Sequence, residues 1–139
     1  MKDKPVPNAG AISWDRVRRV LVVKLRSIGD TVLSTPSLIA LKRFLPDAEI
    51  DILLESWVAP LLDGFDAVDN VISIGPERGA KTAAGRYIRK RRYDVVFNLH
   101  GGTTATFLTR ATGAPHRVGY ADYQYGSLHN HRLSSASDY

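Results

Sequence analysis

Residues 19–25 read Arg-Val-Leu-Val-Val-Lys-Leu, a β-branched and aliphatic run of strand length. A strand with one face in water alternates polar and apolar residues. This one is nearly continuous, so it predicts an interior strand of a parallel sheet, covered on both faces. Parallel neighbours cannot be joined by a tight turn and need crossover connections, usually helical. The remainder of the chain has to supply an alternation of helices and strands.

It does so in order. After Arg26-Ser27-Ile28-Gly29-Asp30, the segment from Thr31 to Leu45 places Val32, Leu33, Ile39, Leu41, Phe44 and Leu45 at mixed three- and four-residue spacing and ends at Pro46, a helix. Pro36 removes one backbone donor inside it. The helix must kink near Val32 to Pro36 or restart with Thr35 as cap, and a kink is expected because Val32 and Leu33 need burial. Glu49 to Leu54 reads as a second strand, Ser56 to Asp63 as a short helix followed by Gly64, and Asn70 to Ile74 as a third strand closed by Gly75-Pro76. Ala80, Ala83, Ala84, Tyr87 and Ile88 form one face of a further helix, with basic residues over most of the rest. Asp94 to Leu99 is a fourth strand, Thr103 to Thr112 a helix stopped by Gly113 and Pro115, and His116 to Gly119 a fifth strand. The expected fold is an α/β, open, mainly parallel Rossmann-like sheet with helices on both faces. Residues 1–18 read as a flexible leader, 19–120 as the domain, and 121–139, which lack an apolar period, as a polar tail.

The chain has 139 residues, 44% of them hydrophobic, enough for one core but not for two substantial domains. No apolar run approaches the roughly 18 residues of a membrane span, and the leader has no apolar signal-peptide centre. The absence of cysteine rules out disulfides, thiolate metal sites and a cysteine nucleophile, and suits the cytoplasm. The net charge of +5 is local: seven of the 19 basic residues fall between Arg78 and Arg92 with no acid among them, leaving 12 basic against 14 acidic groups elsewhere. A solvated face, a surface for anionic lipid or phosphorylated sugar, and nucleic-acid binding are the three readings of that helix. The last is disfavoured because only Tyr87 and Tyr93 interleave the cations.

Ligands of such sheets bind beyond the carboxyl ends of the strands, which singles out two loops. The first turn has one glycine, Gly29, and so neither the dinucleotide nor the nucleoside-triphosphate signature. It offers Asp30 at a helix mouth, beside Arg26 and Ser27. Asp30 reads first as a structural N-cap, and the same physics also suits a base that takes a proton from a substrate hydroxyl; the two roles are compatible. The second loop, His100-Gly101-Gly102-Thr103-Thr104, combines backbone donors open to close approach with an imidazole and two hydroxyls, or is a plain strand-to-helix turn. His129 and His131 lack further ligands at metal-site spacing, and no metal is expected.

The block Val22-Val23-Lys24-Leu25-Arg26-Ser27-Ile28-Gly29-Asp30-Thr31-Val32-Leu33-Ser34-Thr35-Pro36 resembles the opening of the ADP-heptose:lipopolysaccharide heptosyltransferases, glycosyltransferase family nine. Phe44-Leu45-Pro46-Asp47-Ala48, Asp69-Asn70-Val71-Ile72, Arg92-Tyr93-Asp94-Val95-Val96 and Ala114-Pro115-His116-Arg117-Val118-Gly119-Tyr120 resemble later landmarks of that family in the same order. The resemblance covers about Val20 to Tyr120. It implies the N-terminal, acceptor-side half of a GT-B enzyme, with the nucleotide-sugar donor held largely by a C-terminal domain that this chain does not match. It implies Asp30 as general base for inverting, metal-independent transfer from ADP-heptose or a similar nucleotide sugar to a lipopolysaccharide core acceptor. Arg26, Ser27 and Gly29 would line the acceptor side. No cofactor and no nucleic acid are implied, and the location is cytoplasmic, peripheral at the inner membrane. The expectation that follows is a fragment inactive alone. The competing reading is a non-enzymatic α/β module binding anionic glycolipid or nucleotide.

Overall fold

The computed structural model describes residues 12–25, 28–99, 103–120 and 131–133. Six strands form one parallel sheet: β1 (Arg19–Leu25), β2 (Glu49–Glu55), β3 (Asn70–Ile74), β4 (Val95–Asn98), β5 (His116–Tyr120) and β6 (His131–Leu133). Their order is β3-β2-β1-β4-β5-β6, so the chain builds outward from β1 in one direction, then returns and builds outward in the other. This is the doubly wound Rossmann order. Three helices of substantial length connect the strands, α1 (Ile28–Phe44), α2 (Ala80–Arg91) and α3 (Thr103–Ala111), with a short 3-10 turn at Ala59–Leu62.

The period of two within β1 distributes its side chains to two cores. Leu21, Val23 and Leu25 pack with Leu53, Ile72 and Val96 under α2 and α3. Val22 packs with Ile52 and Leu54 under Leu38 of α1 and under Val58 and Leu62. Val20, with Ile50, Val95 and Val118, meets Leu45, Ala48 and Val17 at the end where the strands begin. Covered on both faces, β1 is the interior strand that its composition requires.

Helix α1 departs from expectation in two respects. It starts at Ile28, and the residues it buries are Thr31 and Leu38, while Val32 and Leu33 are 49% and 77% exposed. At 3.6 residues per turn Leu33 lies about 140° around the helix from Leu38, so the two cannot share a face. The burial argument for a kink therefore fails. The helix runs through Pro36 unbroken in assignment, and Thr35 Oγ1 donates 2.8 Å to the Val32 carbonyl, the acceptor that a residue with an N–H at position 36 would have used. Thr35 thus offsets the proline rather than capping a second helix.

The expected helix at Ser56 to Asp63 shortens to the 3-10 turn, and α2 buries Ala84 and Ile88 while leaving Tyr87 exposed. Residues expected in a flexible leader pack on the sheet: Val17 is buried, and the Trp14 ring meets Phe44 edge-on at 5.4 Å and stacks parallel to Phe97 at 6.4 Å. The expected polar tail contributes β6, paired with β5 from Val118↔His131 to Tyr120↔Leu133. A three-residue strand is too short to leave a hydrophobic period in the sequence.

Charged side chains fasten the amino ends of the strands. Asp51 of β2 is fully buried. Its Oδ2 accepts Tyr93 Oη at 2.6 Å and Arg91 Nε at 3.1 Å, and Oδ1 accepts Asn70 Nδ2 at 2.9 Å. Arg91 Nη2 adds ion-pair contacts of 2.9 Å to Asp51 and 3.0 Å to Glu49. Arg91 therefore turns inward, against the expectation that the basic residues of α2 all face solvent. Burial first, then the bond to Asp51, pushes the Tyr93 phenol up, and it stays protonated. Asp94 Oδ2 accepts the Arg18 and Arg19 N–H groups at 2.8 and 3.0 Å, tying β4 to β1.

Breaking a buried ion pair costs about 3–5 kcal/mol and losing a hydrogen bond to a charged group about 1.5–3 kcal/mol. Urea unfolding is therefore expected to show Asp51→Ala as the larger loss and Tyr93→Phe as the smaller; two variants indistinguishable from the parent chain would remove the cluster from the account of stability.

Asp69 is held by Ile50 N–H at 2.7 Å and Lys42 Nζ at 3.0 Å. Burial works to raise its pKa, but those two partners outweigh it and leave the carboxyl below its ordinary 3.8. The folded state then binds fewer protons here than the unfolded one, so this contribution is complete above the ordinary value and is lost as pH falls through the native value. The stability gap between the parent chain and Asp69→Asn should narrow below about pH 4 in acid-titrated denaturation. A gap independent of pH would contradict the assignment.

Candidate functional site

In this strand order the direction of winding reverses between β1 and β4, and the carboxyl ends of those two strands frame the crevice where open α/β sheets take ligands. Their register is direct: Val23 pairs with Asn98, Leu99 N–H donates 2.9 Å to the Val23 carbonyl, and Lys24 Nζ donates 3.3 Å to the Leu99 carbonyl. The two loops singled out by sequence leave from adjacent positions on this edge. Arg26, Ser27, His100, Gly101 and Gly102 themselves lie outside the described residues.

Leu25 has φ +63° at the end of β1, beside an irregularity in the β1–β2 register. For a residue with a Cβ this conformation costs roughly 1–2 kcal/mol, and here the burial of the Leu25 side chain in the α2–α3 core holds it. The strained turn redirects the chain from the sheet into α1. Gly29 and Asp30 then form part of the first turn of α1, with Asp30 the third helical residue rather than the residue preceding the helix. In the first turn of a helix the dipole favours a carboxylate. Among the described residues, a Cβ placed on Gly29 would meet nothing within 4 Å.

Helix α3 also begins at this edge, at Thr103. Beneath it Asn98 is fully buried, and its Nδ2 lies 3.4 Å from Thr106 Oγ1. A buried asparagine at a strand end orders the exit of the chain. Sequence reasoning passed over it because a single polar residue does not disturb a strand pattern.

Farther along the same edge, beyond β2 and β3, lies a cavity of about 690 Å³ lined among others by Glu55, Trp57, Glu77, Arg78 and Lys81. The Trp57 ring is 58% exposed, and its Nε1 donates 2.7 Å to Glu55 Oε1. An exposed indole with carboxylates and cations around it is suited to a hydroxylated ring bearing negative charge. Trp57 left no motif in the sequence, and Arg78 and Lys81 were counted with the basic helix rather than with this edge. Among the described residues no three His, Cys, Asp or Glu side chains gather as a metal site.

The sheet is thus a Rossmann-like α/β domain of the kind that forms the N-terminal half of heptosyltransferase GT-B structures. It superposes on E. coli ADP-heptose lipopolysaccharide heptosyltransferase II with a TM-score of 0.72 and 27% identity, covering 86% of this chain and 36% of that one. On E. coli heptosyltransferase WaaC with ADP the TM-score is 0.72 at 25% identity, covering 85% and 41%. In sequence it is 27% identical over 121 residues to lipopolysaccharide heptosyltransferase 2 of E. coli K12, a match covering 83% of this chain. The resemblance seen in the landmark blocks is therefore to real relatives, the lipopolysaccharide heptosyltransferases. The chain spans about 35% of the length of that relative. No family model matches it.

Proposed function

We propose that this chain is the acceptor-side half of a heptosyltransferase-like glycosyltransferase of lipopolysaccharide synthesis. The observation that carries the reading is the β1–β4 switch point, where the Asp30-bearing first turn of α1 starts beside the exit of β4. Relatives with heptosyltransferase names, one of them, E. coli WaaC, solved with ADP, support the choice of donor.

The chemistry follows from charge. A sugar hydroxyl is a weak nucleophile until a base removes its proton as the new bond forms. Asp30, in the first turn of a helix, accepts that proton. The acceptor oxygen attacks the anomeric carbon of ADP-heptose from the face opposite the diphosphate, the anomeric carbon–oxygen bond to the diphosphate breaks, and ADP leaves with inversion. Arg26, Ser27 and Gly29, from the loop after β1, and His100, Gly101 and Gly102, from the loop after β4, are the residues assigned to acceptor binding in this reading. Trp57, Arg78 and Lys81 receive the neighbouring phosphorylated core sugars. The reading needs no metal and no cofactor. The growing negative charge on the diphosphate requires donors and cations, which a second, donor-binding domain supplies, so the 139-residue chain by itself transfers no sugar. A cytoplasmic location at the inner membrane fits an acceptor anchored in lipid, and among the described residues no helix is long and apolar enough to cross a membrane.

In a two-domain enzyme carrying this half, Asp30→Asn is expected to lower kcat by about 10²–10⁴-fold, the span general-base catalysis contributes, with KM for the acceptor little changed. Steady-state ADP release checks it. A rate within a few-fold of the parent enzyme overturns the base assignment and leaves Asp30 to helix stabilisation alone.

A further inference from the structure

Helices α2 and α3 lie side by side on one face of the sheet, and their outer surfaces enclose a groove of about 510 Å³. Gly85 faces α3 at the floor of this groove, where a Cβ would make ordinary contact at 3.9 Å with Ala111 Cβ and Leu108 Cδ2. Arg86 and Arg89 rise along the α2 side at helical spacing, and Phe107, 51% exposed, lies on the α3 side. A second cavity of about 670 Å³ continues from the same two arginines past Lys90 and Arg92 to Gly113. Among the described residues Asp94 is the one acid lining either cavity, and its Oδ2 already accepts the Arg18 and Arg19 N–H groups. An exposed phenylalanine bordered by arginines and lysines is the pattern of a surface that inserts an apolar side chain at the headgroup level while its cations meet lipid phosphates.

We propose that the α2–α3 face docks the protein on an anionic lipid bilayer. Duplex or single-stranded nucleic acid would use the cations but has no use for Phe107 without an aromatic platform around it. The geometry also joins this face to the acceptor cavity, because Lys81 and Thr82 line both. A lipid-anchored acceptor leaving the bilayer along α2 would reach the carboxyl edge without detaching. The proposal extends the acceptor-side reading, but its test needs neither donor nor sugar transfer, so failure of one is distinguishable from failure of the other.

Co-sedimentation of the 139-residue chain with vesicles decides it. The expected result is binding to phosphatidylcholine vesicles containing phosphatidylglycerol, none to pure phosphatidylcholine, and release as salt screens the charges. Replacing Arg86→Gln and Arg89→Gln together should weaken binding about 25-fold, from roughly fivefold per cation at an anionic surface, whereas Arg43→Gln on α1 should not weaken it. Phe107→Ser should lower the salt concentration at which the protein is released. Equal binding to neutral vesicles, full retention by the double variant, unchanged release in Phe107→Ser, or tighter binding to a short DNA duplex than to anionic vesicles would each overturn the proposal.

Discussion

The architecture depends on one constraint: β1 is the first strand among the described residues and a central strand of the sheet, hydrogen-bonded in parallel to β2 on one side and to β4 on the other. Parallel pairing forbids tight turns, so every connection has to pass over a face, and chain order then dictates which face. The connection from β1 to β2 takes α1 to one side, and α2 and α3 occupy the other. The reversal leaves the carboxyl ends of β1 and β4 adjacent with both following helices starting there. The switch point is a by-product of the winding.

The two edges of the sheet carry different physics. At the amino edge, Asp51, Asp69 and Asp94 each accept several donors and fasten strand starts to neighbouring elements. At the carboxyl edge Gly29 and Trp57 are exposed, and Leu25 holds a conformation that packing rather than preference maintains. Rigid fastening at one edge lets the other present loops without loss of register. Several blocks shared with the heptosyltransferases, among them Arg92 to Val96 and Asp69 to Ile72, belong to the fastened edge. Resemblance in those blocks goes with a common fold, whereas the Ile28 to Thr31 turn lies at the other edge.

Much of this was legible in the sequence. The continuous run of β1 read as an interior strand, and Pro46, Gly64, Gly75-Pro76 and Gly113 with Pro115 marked where elements end. What could not be read was rotation and partnership. Val32 and Leu33 are apolar and exposed because helix phase, set by Leu38 and Thr31 against the sheet, turns them outward. Asp51 and Arg91 stand 40 residues apart and meet only after β2 and α2 are placed. Local composition contains no signal for such a pair, so Arg91 reads as one more surface cation. The site was legible as two loops at one edge, but Trp57 joins them only through the sheet.

The central claim is that acceptor recognition belongs to the carboxyl edge, around the β1–β4 switch point. The most direct measurement is amide chemical-shift mapping of the 139-residue chain titrated with a phosphorylated core oligosaccharide. Perturbations are expected on residues 24–31, 56–57, 77–82 and 99–104, with Asp51, Asp69, Arg91 and Tyr93 silent. Shifts concentrated on the amino edge, or none at saturating oligosaccharide, would contradict the account.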